Sequence, residues 1–221
     1  MVSTTPQSTA SLTLKGEQRV VIHHVTWNGY LQILAALPET RSTRLIYDDG
    51  TLEMTMPGED HEFIGRLIGR FIWILVEVLS ESRNFDMKTM GSTTMNYPEL
   101  KRGVEPDEAF YIQNQPNLAG RTVNFNEDPP PDIVVEIDIT HTDIDKNRFY
   151  ASIGVPEFWR FDGQVLRIYQ LQNHEYVEVE ISPTFQFSPQ TRLYQFLTES
   201  RISEVQAVKE LRSWIQQELL K

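Results

Sequence analysis

"PPPDIVVEIDITHTDIDK", residues 129–146, decides the fold. A proline-bounded apolar run of this kind reads as a strand, and strand side chains alternate with a period of two. Ile133, Val135, Ile137 and Ile139 therefore share one face, and Val134, Glu136, Asp138 and Thr140 share the other. The first face is pure hydrocarbon. The second carries two carboxylates in the middle of a central strand, where an unpaired charge costs several kcal/mol or is neutralised by a shifted pKa. Something must compensate them.

Outward from this strand the chain alternates helical and extended patterns. On the N-terminal side, "TWNGYLQILAALPE" (26–39) predicts a short helix capped by Thr26 or Asn28 and stopped before Pro38. "RLIYDDGTLEMTM" (44–56) predicts a β-hairpin about Asp49-Gly50. Residues 60–82 predict a long helix with Asp60 as its cap and Ile64, Leu67, Ile68, Phe71, Leu75, Val78 and Leu79 as its buried stripe. Short strands are expected at 84–90, 92–97 and 103–112, then a loop rich in Asn, Pro and Asp over 113–131.

On the C-terminal side, Thr142 with Asp145 resembles a capping box that starts a helix ending at Gly154. Strands at 155–162, 164–171 and 175–181 follow, then helices at 190–199 and 202–220. The last helix carries a stripe of Ile202, Val205, Val208, Leu211, Ile215 and Leu219. The expected class is α/β or α+β, a mixed central sheet flanked by helices.

The whole chain has 221 residues, 40% of them hydrophobic, which suits one domain with a real core. The polar start predicts a flexible tail over 1–20 and a single domain over 21–221, in a cytoplasmic protein without a signal pattern. With no cysteine, disulfides, thiolate chemistry and iron–sulfur clusters are excluded. The most apolar window (63–79) contains Arg66, Arg70 and Glu77, so it reads as a core helix and not a membrane span. A net charge of −11 supplies no bulk positive field, so binding to nucleic acid requires a local patch or metal ions.

Three places put polar groups where packing alone would not. Asp107 follows Pro106 at the start of a strand, which taken alone is ordinary turn chemistry. Glu136 and Asp138 are the second place. Lys146 is the third: in a helix over 142–153 it shares a face with Phe149, Tyr150 and Ile153, and it sits where the helix dipole disfavours a cation. Its stem could pack while the ammonium reaches water or Asp143. Alternatively it points at the carboxylate face of the preceding strand. On that second arrangement Asp107 and Glu136 are hard oxygen ligands for Mg²⁺ or Mn²⁺, with Lys146 as a neighbouring cation, a set suited to phosphodiester hydrolysis.

The ordered motifs "YDDGTLEMTMPG" before a histidine, "PD" before a strand, "PDIVVEI", an acid-rich helix start with lysine, and "GVPEFWRFD" resemble the Uma family of restriction-endonuclease domains, in the PD-(D/E)XK nuclease superfamily. The resemblance runs over about 26–171. It implies a restriction-endonuclease-like core, a metal-dependent nuclease site, DNA as substrate and a homodimer. Carried over by position, Asp107 matches the motif aspartate, Glu136 the (D/E) residue, and His61 the histidine at the start of the long helix, with Glu62 as the first-helix acid. The lysine that the superfamily places two residues after Glu136 is replaced by Asp138, and Lys146 matches the family's lysine on the following helix.

No phosphate-binding GxxxxGK[ST], no GxSxG elbow and no HExxH occurs, since Gly65 stands at the second histidine position of the last. Two readings besides a DNA nuclease stay open: a catalytically silent binding or self-associating relative of the same fold, and a hydrolase of another phosphoester.

Overall fold

In the computed structural model, which describes residues 17–38, 40–81, 85–188 and 190–220, strand β1 (Gln18–Ile22) leads into helix α1 (Trp27–Ala36). Residues 18–20 therefore belong to the sheet and not to the expected tail. The rest of that tail, residues 1–16, lies outside the described residues. Thr26 caps α1 by accepting from the Gly29 amide at 3.0 Å. The expected hairpin forms as β2 (Arg44–Asp48) and β3 (Thr51–Met56). Asp49 and Gly50 take φ of 45° and 86°, as the mirror-image two-residue turn requires.

Helix α2 (Glu59–Ser80) buries every residue of its expected stripe. Gly58, not Asp60, stands at its N-cap. Strands β4 (Lys88–Thr89), β5 (Met95–Tyr97), β6 (Arg102–Val104) and β7 (Glu108–Tyr111) follow. The single strand expected over 103–112 is thus two. Pro106 offers no amide to a ladder, and across Glu105-Pro106-Asp107 the chain crosses from one sheet to another. A short helix α3 (Gln115–Leu118) lies inside the stretch expected as a loop, and the pivotal strand is β8 (Ile133–Ile137).

Helix α4 (Lys146–Ser152) begins four residues later than expected, with Asp145 as the cap that accepts from the Arg148 amide at 3.0 Å. Thr142 does not cap α4: its hydroxyl oxygen accepts the Ile144 amide at 3.2 Å in a turn ahead of the helix and donates to buried Glu53 at 3.0 Å. Strands β9 (Glu157–Phe161), β10 (Leu166–Gln172) and β11 (Glu175–Val179) precede α5 (Gln190–Leu219). The two expected terminal helices are the arms of α5, which meet at non-helical Ser203. Ile202 and Val205 are exposed beside that kink, so the expected stripe holds only from Val208 onward.

Two sheets result, where one was expected. The first, antiparallel throughout, has the order β1-β3-β2-β6-β5; the second has the order β11-β10-β9-β8-β7-β4 and is mixed, because β8 and β9 run parallel. A parallel pair needs a crossover, and α4 supplies it. Strand β8 is covered on both sides. Ile133, Val135 and Ile137 pack under α2 and α5, where Phe71 and Phe196 approach to 5.7 Å between ring centres. Val134 packs with Phe149 and Tyr150 of α4 and with Ile46, Met95 and Val104 of the first sheet. This mixed architecture places the carboxyl end of β8, the seam at Asp107 and the start of α4 together.

Gly103 marks the tightest point of the first sheet. A methyl group there would lie 2.3 Å from the Tyr30 hydroxyl and 2.7 Å from Asn96 Oδ1, the pair joined by a 2.8 Å hydrogen bond. Gly103→Ala is expected to lower stability by about 1–3 kcal/mol, read from the urea midpoint. An unchanged midpoint would mean that Tyr30 can leave without cost.

Candidate active site

Glu136 and Asp138 point to the same side of β8 and meet one cation. Lys146 opens α4, and its Nζ donates to Glu136 Oε2 at 2.8 Å and to Asp138 Oδ1 at 2.6 Å. All three are nearly sealed from solvent. The side chain does not snorkel to water but turns back to the carboxylate face. Each acid has a second partner: the Tyr150 hydroxyl donates to Glu136 Oε1, and Arg160 Nε donates to Asp138 Oδ2 at 2.9 Å. Side chains therefore provide the compensation that the sequence demanded.

Asp107 reaches the same place from the seam between the sheets. Its Oδ2 accepts the Ile137 amide at 2.7 Å, which ties it to β8 one residue beyond Glu136. Its Oδ1 meets His61 Nε2 and Arg44 Nη1, each at 2.8 Å. Burial opposes ionisation of Asp107, but the hydrogen bond and charge of His61, with the charges of Arg44 and Lys146, outweigh it and hold the carboxyl down at about 2. Glu136 goes the other way. Burial, reinforced by the charges of Asp107 and Asp138, raises it to about 7 against the pull of Lys146. Burial also disfavours the Lys146 ammonium, yet Asp138, Glu136 and Asp107 together push its pKa above the ordinary value.

His61, in the first turn of α2, bridges two acids. Nδ1 bonds Glu17 and Nε2 bonds Asp107. Burial works against its charge, but these two bonds raise its pKa to about 9, so at neutral pH it donates from both nitrogens. It holds Asp107 in place and has no free nitrogen with which to take a proton. Glu62 stands at the rim, paired with Arg44 at 2.7 Å and with Arg66 at 3.5 Å.

Several members of the site were not anticipated. Glu17 and Arg19 come from the assumed tail. Arg19 pairs with Glu17, with Glu53 of β3 and, at 3.5 Å, with Asp138. Glu53 is fully buried and also accepts from Thr142 and from the Asp143 amide at 3.1 Å. An acid in the middle of a short strand is the same signal that singled out Glu136, and "TLEMTM" displays it. The buried acids Glu17, Glu53, Asp107, Glu136 and Asp138 thus face Arg19, Arg44, His61, Lys146 and Arg160 in one network.

A cavity of about 20 Å³ lies against Asp107, Glu136 and Lys146, room for about one water-sized species. Arg44, His61 and Asp107 also wall a second cavity of about 180 Å³. Among the described residues no cluster of three or more His, Asp or Glu side chains is arranged as a metal cage. An ion would have to share a pair of carboxylates with water or with substrate oxygens. None of the described helices is long and apolar enough to cross a membrane.

The family model described as "Uma2: Putative restriction endonuclease" matches residues 27–202, and no curated protein matches the chain. The match covers well over half of the sequence, and the chain belongs to that family. The two-sheet α+β architecture agrees with a restriction-endonuclease-like core and with the PD-(D/E)XK superfamily. Asp107, Glu136, Lys146, His61 and Glu62 all fall within the matched segment. Glu17 and Arg19 precede it.

Proposed function

We propose that this Uma2-family chain is a Mg²⁺- or Mn²⁺-dependent nuclease that hydrolyses phosphodiester bonds in DNA, with Asp107, Glu136 and Lys146 at its centre. The observation that carries this reading is the Lys146 ammonium, buried 2.8 Å from Glu136 and 2.6 Å from Asp138 beside the cavity that Asp107 shares.

The donor set suits a hard divalent ion. A carboxylate has about four lone-pair positions. Asp107 accepts three hydrogen bonds and Glu136 two, so each keeps capacity for an ion. Mg²⁺ is commonly held by one or two carboxylates, its other positions being filled by water and phosphate. When bound, such an ion polarises the phosphate and lowers the pKa of the attacking water.

The chain's own groups do the rest. Lys146 keeps its proton, so it serves as a fixed cation and not as a base. Two of its three N–H bonds go to Glu136 and Asp138, and the third can be offered to a phosphoryl oxygen as charge develops there. Tyr150 and Arg160 keep the two acids turned toward the lysine, and His61 keeps Asp107 turned toward the cavity.

The test is nicking of supercoiled plasmid, with linear and single-stranded DNA alongside, in Mg²⁺, in Mn²⁺ and in EDTA. Glu136→Gln retains an acceptor for Lys146 but not the charge. Wild type is expected to cut only with the ion, and Glu136→Gln to lose at least about 100-fold. A folded wild type that cuts none of these substrates with either ion would refute the nuclease reading.

A further inference from the structure

Helix α2 is buried along most of its length, and between His61 and Leu79 its exposed residues are Arg66, Arg70 and Trp73. Their spacing places them on one stripe of the helix. A lone exposed tryptophan is unremarkable in a globular protein. This one, 43% exposed, stands over a cavity of about 570 Å³ between α2, α5 and the β4–β7 edge of the second sheet, and Arg66, Arg70 and Arg212 line the same cavity. In a chain of net charge −11, three cations here face one lining acid among the described residues, Glu108.

Arg66 and Arg70 are loosely engaged, each paired with a partly exposed carboxylate at 3.5 Å, whereas Arg212 donates from Nε and Nη2 to Glu77 at 2.9 and 2.8 Å. The two long exposed pairs contribute little, so a phosphate, which suits guanidinium geometry, can displace them, and Arg212 has a further N–H to offer it.

The cavity also borders the site already described. It shares Arg66, Gly91 and Glu108 as walls with the 180 Å³ cavity at His61 and Asp107, which in turn shares Arg44, His61 and Asp107 with the small cavity at Glu136. From His61 to Trp73 is twelve residues of helix, about 18 Å along its axis. Arg66 and Arg70 lie between. A polyanion entering at Asp107 would follow these arginines to an open indole face. A base can lay its face on that indole only when it is unpaired.

We propose that the groove between α2 and α5 binds an unpaired stretch of DNA, with Trp73 as the stacking platform and Arg66, Arg70 and Arg212 holding its phosphates. The proposal rests on the nuclease reading for the identity of the polymer, and it narrows the substrate to DNA with a single-stranded segment next to the cut.

The test is the fluorescence anisotropy of a labelled oligothymidylate in EDTA, where cleavage is silent, with wild type, Trp73→Ala and Trp73→Phe. The half-exposed position should let both variants fold, which thermal melting checks. Trp73→Ala is expected to weaken binding about 10- to 100-fold, and Trp73→Phe, which keeps an aromatic face, to restore most of it. A blunt duplex of equal length is expected to bind more weakly than the single strand.

Equal affinity of wild type and Trp73→Ala would overturn the proposal. So would a duplex bound as tightly as the single strand, or an oligoglutamate of matched charge that competes as well as the oligothymidylate. Trp73-dependent binding without cleavage in any ion would uphold this subsite while removing the nuclease reading. Cleavage that Glu136→Gln abolishes, with binding indifferent to Trp73, would remove the subsite and leave the nuclease.

Discussion

Lys146→Met is expected to abolish DNA cleavage and to destabilise the fold by about 3–5 kcal/mol at neutral pH. Methionine keeps an unbranched stem at this buried position and removes the ammonium. Glu136 would then retain Tyr150 alone, and Asp138 would retain Arg160 and the more distant Arg19. In the reaction, loss of one preorganised donor costs about 10²–10³ in rate. The pH dependence separates the electrostatic cause from a packing defect. The Glu136 carboxyl is raised from 4.5 to about 7 in the folded state even with Lys146 present. A raised carboxyl contributes stability that is complete below its unfolded pKa and is lost as the pH climbs through the folded value. Without the lysine the folded pKa rises further, so the variant's deficit should change little between about pH 5 and pH 7, where Glu136 holds its proton with or without the lysine, and should grow by about 1.4 kcal/mol per pH unit above about pH 7, measured by urea unfolding. A deficit equal at about pH 6 and pH 8 would point to lost packing instead.

That result bears on how much of the site could be read from the sequence. The alternation in "IVVEIDI" was enough to show that two acids share a buried face, and helical spacing was enough to bring Lys146 toward it, because both are properties of single elements. The partners that complete the network come from elsewhere in the chain. Glu53 lies 89 residues from Thr142, yet it accepts from the Thr142 hydroxyl and the Asp143 amide and so holds the turn that precedes α4. No local capping rule contains those contacts. Pro106 was legible as a turn but not as a crossing between sheets, since a sequence of alternating residues does not say which neighbour each strand pairs with. Trp73 lay outside the stripe expected to be buried, but helical spacing does not say what stands beside an unburied residue, and the cavity under it is made by α5 and the β4–β7 edge.

Arg19→Leu should have an effect of the same size through residues that the family match does not include. The Arg19 guanidinium meets Glu17, Glu53 and Asp138, all nearly sealed from solvent, so its removal leaves three acids short of one charge; the expected loss is about 3–5 kcal/mol. Among the described residues β1 is an edge strand that pairs with β3 alone, and its Val20 and Ile22 are partly exposed. Once β1 loosens, Glu17 leaves His61. In the intact protein burial disfavours the imidazolium, and the bonds to Asp107 and Glu17 overcome this to raise its pKa to about 9. With Glu17 gone that value should fall toward the ordinary 6.5, which an NMR titration of the His61 ring would follow. His61 would then be largely neutral at pH 8, its hold on Asp107 reduced to one hydrogen bond, and cleavage should fall with it. A chain cut back to begin at residue 24 should reproduce the loss of stability, the lowered His61 pKa and the weakened cleavage together. If the shortened chain instead keeps full stability and activity, the matched segment is self-sufficient and the contacts of Glu17 and Arg19 are incidental to the site.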